Sequence, residues 1–323
     1  MNRCLYCYKP LPENALEKNE EIDYHPRCSR AFFGQTPPPV LPYTADAIKD
    51  LASQIVRQPL VVTGVQPKIS LDLEHIGSYS RLTLVGLWGE FILKPPHAPY
   101  PSMPEIESLT MRMATEFGIQ TVPHSLIRLQ TGELAYITRR IDRPTKTTKR
   151  AMEDFCQLAG KQTGDKYSGS MELVARIIRQ HSSQAPLDLI TLYELTLFCY
   201  LTGNADMHLK NFSLWRHNGL ITLTPAYDLL ATKLLMPSDN EELALTMGAR
   251  KTRLRPTDWD AFAQYLGLTS RQQANIHARF QKRLPKALDW IRNSFLSQTL
   301  QDDYQALIRK RAQRLDWETQ SWA

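Results

Sequence analysis

The alternation of apolar and polar positions along the chain predicts strands first and helices later. Short apolar runs separated by turn residues occupy 119–129 and 134–141, which is typical of two antiparallel strands. We also predict that residues 82–93 form a hairpin ending in a strand, which places Lys94 at its tip. From Met152 onward, apolar positions recur mostly at helical spacing. The pattern therefore favours a β-rich first part and a helical second part.

Four segments have the apolar periodicity of helices. Residues 45–58 carry one apolar stripe and predict a short amphipathic helix. A second helix is expected from about 104 to 117, with glutamates in its first turn. Residues 192–201 are so apolar that we expect a buried helix, and 258–315 predict two or three more. A Pro-rich stretch at 35–42 predicts an extended linker.

A polar cluster directly follows the predicted buried helix. Asp206 and Asn211 stand five positions apart in a predicted loop. An Asn-Gly pair at 218–219, between two apolar runs, then predicts a β-hairpin, and Asp228 follows its second strand. Because the hairpin folds the chain back on itself, two carboxylates and one amide oxygen can converge on one point.

Phosphoryl transfer requires this combination of side chains. A carboxylate orients the attacking hydroxyl and accepts its proton, and oxygen ligands hold the Mg²⁺ that neutralises charge on the phosphates. Protein kinases use Asp-x-x-x-x-Asn, a hairpin and a metal-binding Asp in the same order. The alternative is that Asp206, His208 and Asn211 form a polar loop whose side chains only cap local backbone groups. The complete pattern favours the kinase interpretation.

The sequence Asn-x-Asp-x-His-x-Lys-Asn-x-Ser at 204–213, followed by Ala-Tyr-Asp-Leu-Leu at 226–230, resembles the HipA family. Members of that family are Ser/Thr protein kinases that act as toxins of bacterial toxin–antitoxin modules. The resemblance covers residues from about 60 to 323. It implies a two-lobed, protein-kinase-like α+β fold, with a β-rich N-lobe, a helical C-lobe and ATP bound between them.

The resemblance implies a role for each polar residue of this loop. Asp206 would orient and deprotonate the acceptor hydroxyl. Asn211 and Asp228 would hold Mg²⁺. His208 and Lys210 would shape the loop or stabilise the transferred charge, and His208 and Asn211 would also contact the nucleotide.

A Gly-Val-Gln-x-Lys sequence at 64–68 resembles the nucleotide loop of the same family. On its own, a single glycine between apolar residues predicts only a β-turn. The resemblance implies that the loop covers the ATP phosphates, with contacts from Thr63, Gly64, Val65, Gln66 and Lys68. Val61 stands where the family often carries a regulatory serine, so self-inactivation by autophosphorylation is either lost or moves to Thr63.

Further positions complete the implied nucleotide site. Lys94 lies in a Leu-Lys-Pro sequence and would grip the phosphates, with Glu107 on the following helix as its partner. The alternative is a solvated lysine at a strand end. Arg139 and Ile141 lie in a segment that resembles the adenine-binding hinge, whose backbone makes the contact. Because the family usually has Glu in place of Arg139, a side-chain contact is not implied there. Tyr227 is a further implied nucleotide contact.

Cysteine and histidine residues near the N-terminus form two close pairs. Cys4 and Cys7 make the first pair, and His25 and Cys28 make the second. Three thiolates and one imidazole can complete a tetrahedral zinc shell, and the zinc would be structural because four protein ligands leave no open position. The alternative is that these residues pack as ordinary side chains in an N-terminal strand pair.

The net charge, the cysteine count and the lengths of the apolar runs indicate the kinds of partner and the compartment to expect. The 323-residue chain has a formal net charge of +6, which favours anionic partners such as nucleotides or nucleic acid. Five cysteines and no apolar signal segment favour the cytoplasm, with export by a signal-less route left open. No apolar run reaches about 18 residues, so no membrane span is predicted. We divide the chain into a Cys/His extension at 1–34, an N-lobe at 35–142 and a helical C-lobe at 143–323.

The expected function is that of an ATP-dependent Ser/Thr protein kinase, closest to the short HipT-type kinases, which lack an N-terminal subdomain. The resemblance implies a helix-turn-helix antitoxin that mediates any DNA contact, a small protein that replaces the missing subdomain, and an aminoacyl-tRNA synthetase as substrate. Two other classes stay open. One is a small-molecule kinase of the aminoglycoside or choline type, which shares Asp-x-x-x-x-Asn. The other is a non-catalytic module that holds nucleic acid through the Cys/His segment and a basic surface.

Overall fold

The computed structural model of the protein describes residues 3–12, 22–48, 50, 68–85, 89–145 and 147–317. Contacts within the chain divide it into two compact units. The first consists of Met1–Ser108, Val122–Lys149 and Asn293–Phe295, and the second of Leu109–Thr121, Arg150–Arg292 and Leu296–Ala323. The three-part division proposed from the sequence stays a prediction.

The described part of the first unit is built on a five-stranded antiparallel sheet. Its strands follow the order β2-β1-β3-β5-β4. The elements are α1 (Pro26–Phe33), β1 (Ile69–Ile76), β2 (Tyr79–Leu84), β3 (Phe91–Lys94), α2 (Met103–Glu116), β4 (His124–Arg128) and β5 (Leu134–Arg139). Residues 103–108 of α2 belong to this unit. The strands predicted within 119–129 and 134–141 are confirmed as β4 and β5.

Strand β1 lies between β2 and β3, so the hairpin predicted within residues 82–93 is wrong. Leu71 of β1 pairs with Leu84 of β2 on one side and with Phe91 of β3 on the other. Gly89 lets the chain pass close to β1, because a Cβ at that position would lie 2.5 Å from the Leu71 main-chain oxygen. The apolar pattern located the strands but did not identify their partners.

The second unit is mainly helical and contains a three-stranded antiparallel sheet of order β6-β7-β8. Its elements after α2 are β6 (Met152–Asp154), α3 (Phe155–Leu158), α4 (Met171–His181), α5 (Ala185–Thr202), β7 (Ser213–His217), β8 (Leu220–Leu223), α6 (Thr232–Leu235), α7 (Pro256–Leu266), α8 (Ser270–Arg292) and α9 (Gln298–Gln313). The α+β class is confirmed, and so are the helices predicted within 104–117 and 258–315.

Helix α5 forms the centre of the second unit because it is apolar around most of its circumference. Leu192, Phe198 and Tyr200 are fully buried. The helix packs against α4, α7 and α9. Burying one large apolar side chain contributes about 1.5–3 kcal/mol, so this helix supplies much of the core energy of the unit. The buried helix predicted from residues 192–201 is confirmed.

The β7–β8 hairpin turns at Asn218 and Gly219, which have φ angles of 49° and 80°. Two consecutive residues with positive φ are typical of a type I′ turn, whose twist matches that of the flanking strands. The hairpin predicted from the Asn-Gly pair is confirmed. It returns the chain toward the segment that carries Asp228.

One predicted helix falls largely outside the described residues. Within 45–58, residues 45–48 and 50 are helical, and residues 51–58 lie outside the described ranges. None of the helices in the described ranges combines the length and the apolar character that crossing a membrane requires.

Replacing Gly203 with alanine should destabilise the protein more than the same change at Gly219. Both glycines have positive φ, 71° and 80°, which costs an L-residue about 1–2 kcal/mol. A Cβ at Gly203 would also lie 2.7 Å from Leu307 Cδ2 and 2.9 Å from Lys233 Cβ, whereas open space surrounds Gly219. In chemical denaturation, we expect Gly203→Ala to lower the free energy of unfolding by about 2–5 kcal/mol and Gly219→Ala by about 1–2 kcal/mol. Equal losses would show that the close approach at Gly203 has no energetic effect.

Candidate active site

The loop after helix α5 is held by a buried asparagine. Asn204 is fully buried, and its Oδ1 accepts a hydrogen bond from the Asp206 N–H at 3.0 Å. The hydroxyl of Thr232 accepts a second bond, from the Ala205 N–H, at 2.9 Å. These bonds satisfy backbone donors at the point where the helix stops. They therefore fix the direction in which the chain continues at Asp206.

Asp206 and Asn211 are connected across this loop. Nδ2 of Asn211 donates to the main-chain oxygen of Asp206 at 2.9 Å, and Leu209–Asn211 forms a 3₁₀ turn between them. An amide coordinates a cation through its oxygen, and the bond from Nδ2 directs the nitrogen toward the Asp206 main chain, so Oδ1 of Asn211 is the candidate ligand atom. The structure thus brings two of the three predicted oxygen-bearing residues into one turn.

Tyr227 ties the segment carrying Asp228 to the same loop. Its hydroxyl donates to the main-chain oxygen of Lys210 at 3.1 Å and lies 2.7 Å from the hydroxyl oxygen of Ser213. Asp228 has a φ of 57°, a left-handed conformation that non-glycine residues adopt rarely and mostly at functional sites or turns. The loop with Asp206 and Asn211 therefore meets the segment that carries Asp228.

His208 is close enough to both carboxylates to respond to their charge. Its side chain is buried, and burial lowers its pKa, while the negative charges of Asp206 and Asp228 oppose that shift. Within the described part of the chain, its Nδ1 has no hydrogen-bond partner. A buried polar atom of this kind calls for a contact with a ligand, an ion or water.

Tyr167 belongs to this site, although sequence reasoning assigned it no role. Its hydroxyl donates to Oδ1 of Asp206, and its ring meets the His208 ring edge-on, with centroids 5.0 Å apart. Burial and the Asp206 carboxylate raise the pKa of Tyr167, so its hydroxyl stays protonated and keeps donating. No local spacing signals this contact, because 39 positions separate the two residues.

Lys210 forms an ion pair outside the loop. Its Nζ lies 2.8 Å from Oδ2 of Asp154. Asp154 also caps helix α3, because its Oδ1 accepts from the Gln157 N–H and the Gln157 side chain accepts from the Asp154 N–H. The pair connects the loop to the start of α3. This contact is consistent with the loop-shaping role predicted for Lys210.

Lys94 and Glu107 form a buried ion pair in the first unit. Lys94 ends β3 and Glu107 lies on α2, and only 5% and 1% of their surfaces are exposed. Nζ of Lys94 also lies over the ring of Tyr136, 5.2 Å from its centroid. The alternative of a solvated strand-end lysine is therefore wrong, and the pairing expected between these residues is present. Their contact with a nucleotide stays a prediction.

Most of the predicted nucleotide loop, namely Thr63, Gly64, Val65 and Gln66, lies outside the described residues. Lys68 is described, and its exposed side chain stands directly before β1. The phosphate contacts implied for this loop therefore stay a prediction.

The predicted hinge begins inside the sheet of the first unit. The Arg139 N–H donates to the main-chain oxygen of Pro123 at 2.9 Å, and the Arg139 guanidinium lies over the Phe91 ring, 5.5 Å from its centroid. Ile141 follows two residues after β5 ends. Because the Arg139 amide is used by the main-chain oxygen directly before β4, a backbone contact to adenine would come from other groups of this segment.

The four N-terminal Cys and His residues come together in the first unit. The ligand atoms of Cys4, Cys7, His25 and Cys28 all lie within 4.8 Å of one another. The alternative of an N-terminal strand pair is wrong, because Cys28 lies on helix α1. The group can hold a metal ion.

One unit with an antiparallel sheet and a buried Lys–Glu pair, and one helical unit with an Asp206–Asn211 loop, define the protein-kinase-like α+β class. Residues 60–288 match the family model described as the HipA-like C-terminal domain. Because the match covers more than half of the chain, the chain belongs to this family. The resemblance inferred from the sequence is confirmed.

Relatives and a solved structure agree with this assignment. The chain is 30% identical over 219 residues to the putative kinase Y4mE of Sinorhizobium fredii, covering 65% of this chain and 51% of that protein, so it spans about half of the relative. It is 26% identical over 250 residues to the serine/threonine-protein kinase toxin HipA of Shewanella oneidensis, covering 71% and 56%. The structure of Shewanella oneidensis HipA, solved with HipB and operator DNA, has the same fold, with a TM-score of 0.68, 20% identity and coverage of 97% and 85%.

The free energies of unfolding of a single and a double variant test whether Lys94 and Glu107 form a buried ion pair. Lys94→Met leaves the Glu107 carboxylate buried without its cation, so the free energy of unfolding should fall by about 3–5 kcal/mol. Lys94→Met combined with Glu107→Leu replaces both charges with apolar groups and should recover most of that loss. Denaturation of the purified variants measures both values.

Arg81→Met is the matched control in the same unit. The Arg81–Glu74 pair spans 3.0 Å and is exposed, so its loss should cost less than about 1 kcal/mol. Equal costs for Lys94→Met and Arg81→Met would contradict the assignment of a buried pair.

Proposed function

We propose that the protein is an ATP-dependent serine/threonine protein kinase. The observation that carries this proposal is the loop in which Asp206, Asn211 and the segment of Asp228 meet around the buried His208. Phosphoryl transfer needs little covalent chemistry from the protein, so positioning and charge stabilisation account for most of the rate. Membership of the family and relatives named as kinases support the same class.

Asp206 is the proposed base. The Tyr167 hydroxyl bonds to its Oδ1, which leaves Oδ2 to accept the proton of an approaching Ser or Thr hydroxyl. The hydroxyl oxygen then forms a bond to the γ-phosphorus of ATP, the bond from that phosphorus to the β–γ bridging oxygen breaks, and ADP leaves. A positioned carboxylate of this kind contributes a rate factor of about 10²–10⁴.

Asn211 and Asp228 are the proposed Mg²⁺ ligands. Both supply the hard oxygen atoms that this ion prefers, and the bond from Asn211 Nδ2 to the Asp206 main chain orients Asn211 Oδ1 for coordination. When bound, the ion neutralises charge on the phosphates. We assign the unpartnered Nδ1 of His208 to a contact with the nucleotide. Lys210, through its pair with Asp154, keeps the loop in shape.

Lys94 is the proposed phosphate contact of the first unit. Its pair with Glu107 restrains a side chain that is flexible in solution, so less conformational entropy is lost when a phosphate binds. The resemblance adds the loop at 63–68 as a cover for the phosphates, with the segment at 139–141 and Tyr227 as further nucleotide contacts.

The proposed substrate is a protein hydroxyl, and the resemblance favours an aminoacyl-tRNA synthetase. The Shewanella oneidensis HipA structure contains HipB and operator DNA. By analogy, we propose a helix-turn-helix antitoxin as a partner, with any DNA contact made through it. A small separate protein, which the resemblance also implies, is the second proposed partner.

Replacing Asp206 with asparagine should abolish phosphoryl transfer and preserve the fold. The amide keeps the shape of the side chain and an oxygen that can accept from Tyr167, but it cannot take the proton of the acceptor. We expect transfer of label from radiolabelled ATP to protein in a cell lysate to fall by at least about 100-fold. Thermal stabilisation by ATP and Mg²⁺ should persist.

Asp303→Asn is the matched control, because Asp303 is exposed on helix α9, and it should leave labelling unchanged. Undiminished labelling by Asp206→Asn would refute the assigned base. Label that appears in small molecules and never in protein would instead identify a small-molecule kinase. The absence of any thermal shift with ATP and Mg²⁺ would favour a non-catalytic module.

A further inference from the structure

The Cys4, Cys7, His25 and Cys28 cluster is not used by the proposed phosphoryl transfer. Its geometry is that of a metal site. A zinc ion with typical zinc–sulfur and zinc–nitrogen bonds in tetrahedral geometry separates its ligand atoms by about 3.5–3.8 Å. In the structure, Nδ1 of His25 lies 3.4 Å from the Cys7 sulfur and 3.9 Å from the Cys28 sulfur. These two distances are close to those around a zinc ion, and all four ligand atoms lie within 4.8 Å of one another.

The orientation of His25 also suits a metal ligand. Its Nε2 lies 3.0 Å from the main-chain oxygen of Pro10. A carbonyl oxygen can only accept, so Nε2 carries the proton and Nδ1 presents its lone pair to the sulfurs. Zinc-bound histidines commonly use a backbone carbonyl in this way to fix the ring. The three cysteines form no disulfide, so their sulfurs can coordinate a metal that displaces the thiol protons.

We propose that Cys4, Cys7, His25 and Cys28 bind one structural zinc ion, and that the segment closed by this ion braces the elements that carry Lys94 and Glu107. Three sulfur ligands and one imidazole in a tetrahedral arrangement select zinc over the oxygen-seeking Mg²⁺. The zinc site and its brace do not depend on the proposed kinase activity. We call residues 3–12 and 22–34 the Cys/His knuckle.

Aromatic side chains attach the knuckle to strand β3. The rings of Phe32 and Phe33, at the end of α1, contact the ring of Phe91, with centroids 5.9 and 6.2 Å apart. All three side chains are buried. Phe91 begins β3 and Lys94 ends it, so the knuckle packs against the strand that positions the lysine.

Hydrogen bonds attach the knuckle to β4 and to α2. The Leu126 N–H donates to the main-chain oxygen of Leu5 at 3.3 Å, and the Tyr24 hydroxyl donates to the main-chain oxygen of Leu126. The Tyr8 hydroxyl donates to the Ser108 hydroxyl at 2.9 Å, in buried surroundings. Ser108 directly follows Glu107 on α2. The knuckle therefore contacts the elements on both sides of the Lys94–Glu107 pair.

The knuckle contains too few residues to form a core of its own. Segments of this size are usually held by disulfides or by a metal, and metal binding then contributes directly to folding. Because Phe32, Tyr8 and Leu5 belong to the knuckle and are buried with the sheet, loss of the ion should loosen the sheet as well.

Metal content provides the first test. Protein purified under reducing conditions without added metal should contain about one zinc per chain by elemental analysis. Cys7→Ser should lower zinc content at least tenfold. Cys156→Ser is the control and should retain zinc, because its serine can keep the hydrogen bond that Cys156 makes to the Gln162 main-chain oxygen at 3.1 Å. A wild-type protein that carries no zinc and takes up none when zinc is supplied would overturn the site.

Hydrogen exchange of the wild-type protein provides the second test, and it does not require a folded variant. Chelation of the zinc should speed amide exchange in β3, in β4 and in residues 103–108 of α2, and added zinc should reverse the change. Helix α5 serves as the internal control, with unchanged exchange. Removal of the zinc without faster exchange in β3, β4 and residues 103–108 would overturn the bracing role.

Discussion

The position of Asp206 depends on how the backbone is satisfied directly after the largely buried helix α5. Helix α5 stops inside the core, where an unpaired N–H costs about 1–3 kcal/mol. Gly203 adopts a left-handed conformation to end the helix, and the buried side chains of Asn204 and Thr232 accept the next N–H groups. The bonds that satisfy these N–H groups after the helix therefore also fix the position of Asp206.

The first and second units each contain an ion pair, and the two pairs differ in burial. Lys94 and Glu107 are almost fully buried, so each charge requires the other and their separation can vary little. Lys210 and Asp154 are partly exposed, and water shares the stabilisation of their charges. The buried pair gives the first unit a fixed cation, whereas the exposed pair connects two segments of the second unit at lower energetic cost.

The sequence revealed the part of the candidate site that is encoded over short distances. Asn211 bonds to the Asp206 main chain, and after the Asn-Gly hairpin the segment that carries Asp228 returns to this loop, as the spacing predicted. The contact of Tyr167 with Asp206 was not predicted, because the 39 positions between the two residues carry no periodic signal. The Asp154 partner of Lys210 was missed for the same reason. A hydrogen bond between distant segments depends on packing, which local patterns do not record.

The sequence by itself indicated the longest helices, several strands, the family and the polar residues that we propose for phosphoryl transfer. These features depend on local periodicity and on turn residues such as Asn218 and Gly219, whose conformational preferences act within a few positions. Only the tertiary structure decided that β1 separates β2 from β3, that Lys94 is buried against Glu107, and that Cys4 and Cys7 meet His25 and Cys28. Strand pairing and buried contacts are chosen by competition among all segments of the chain, and an apolar strand fits several partners equally well until the complete core is assembled.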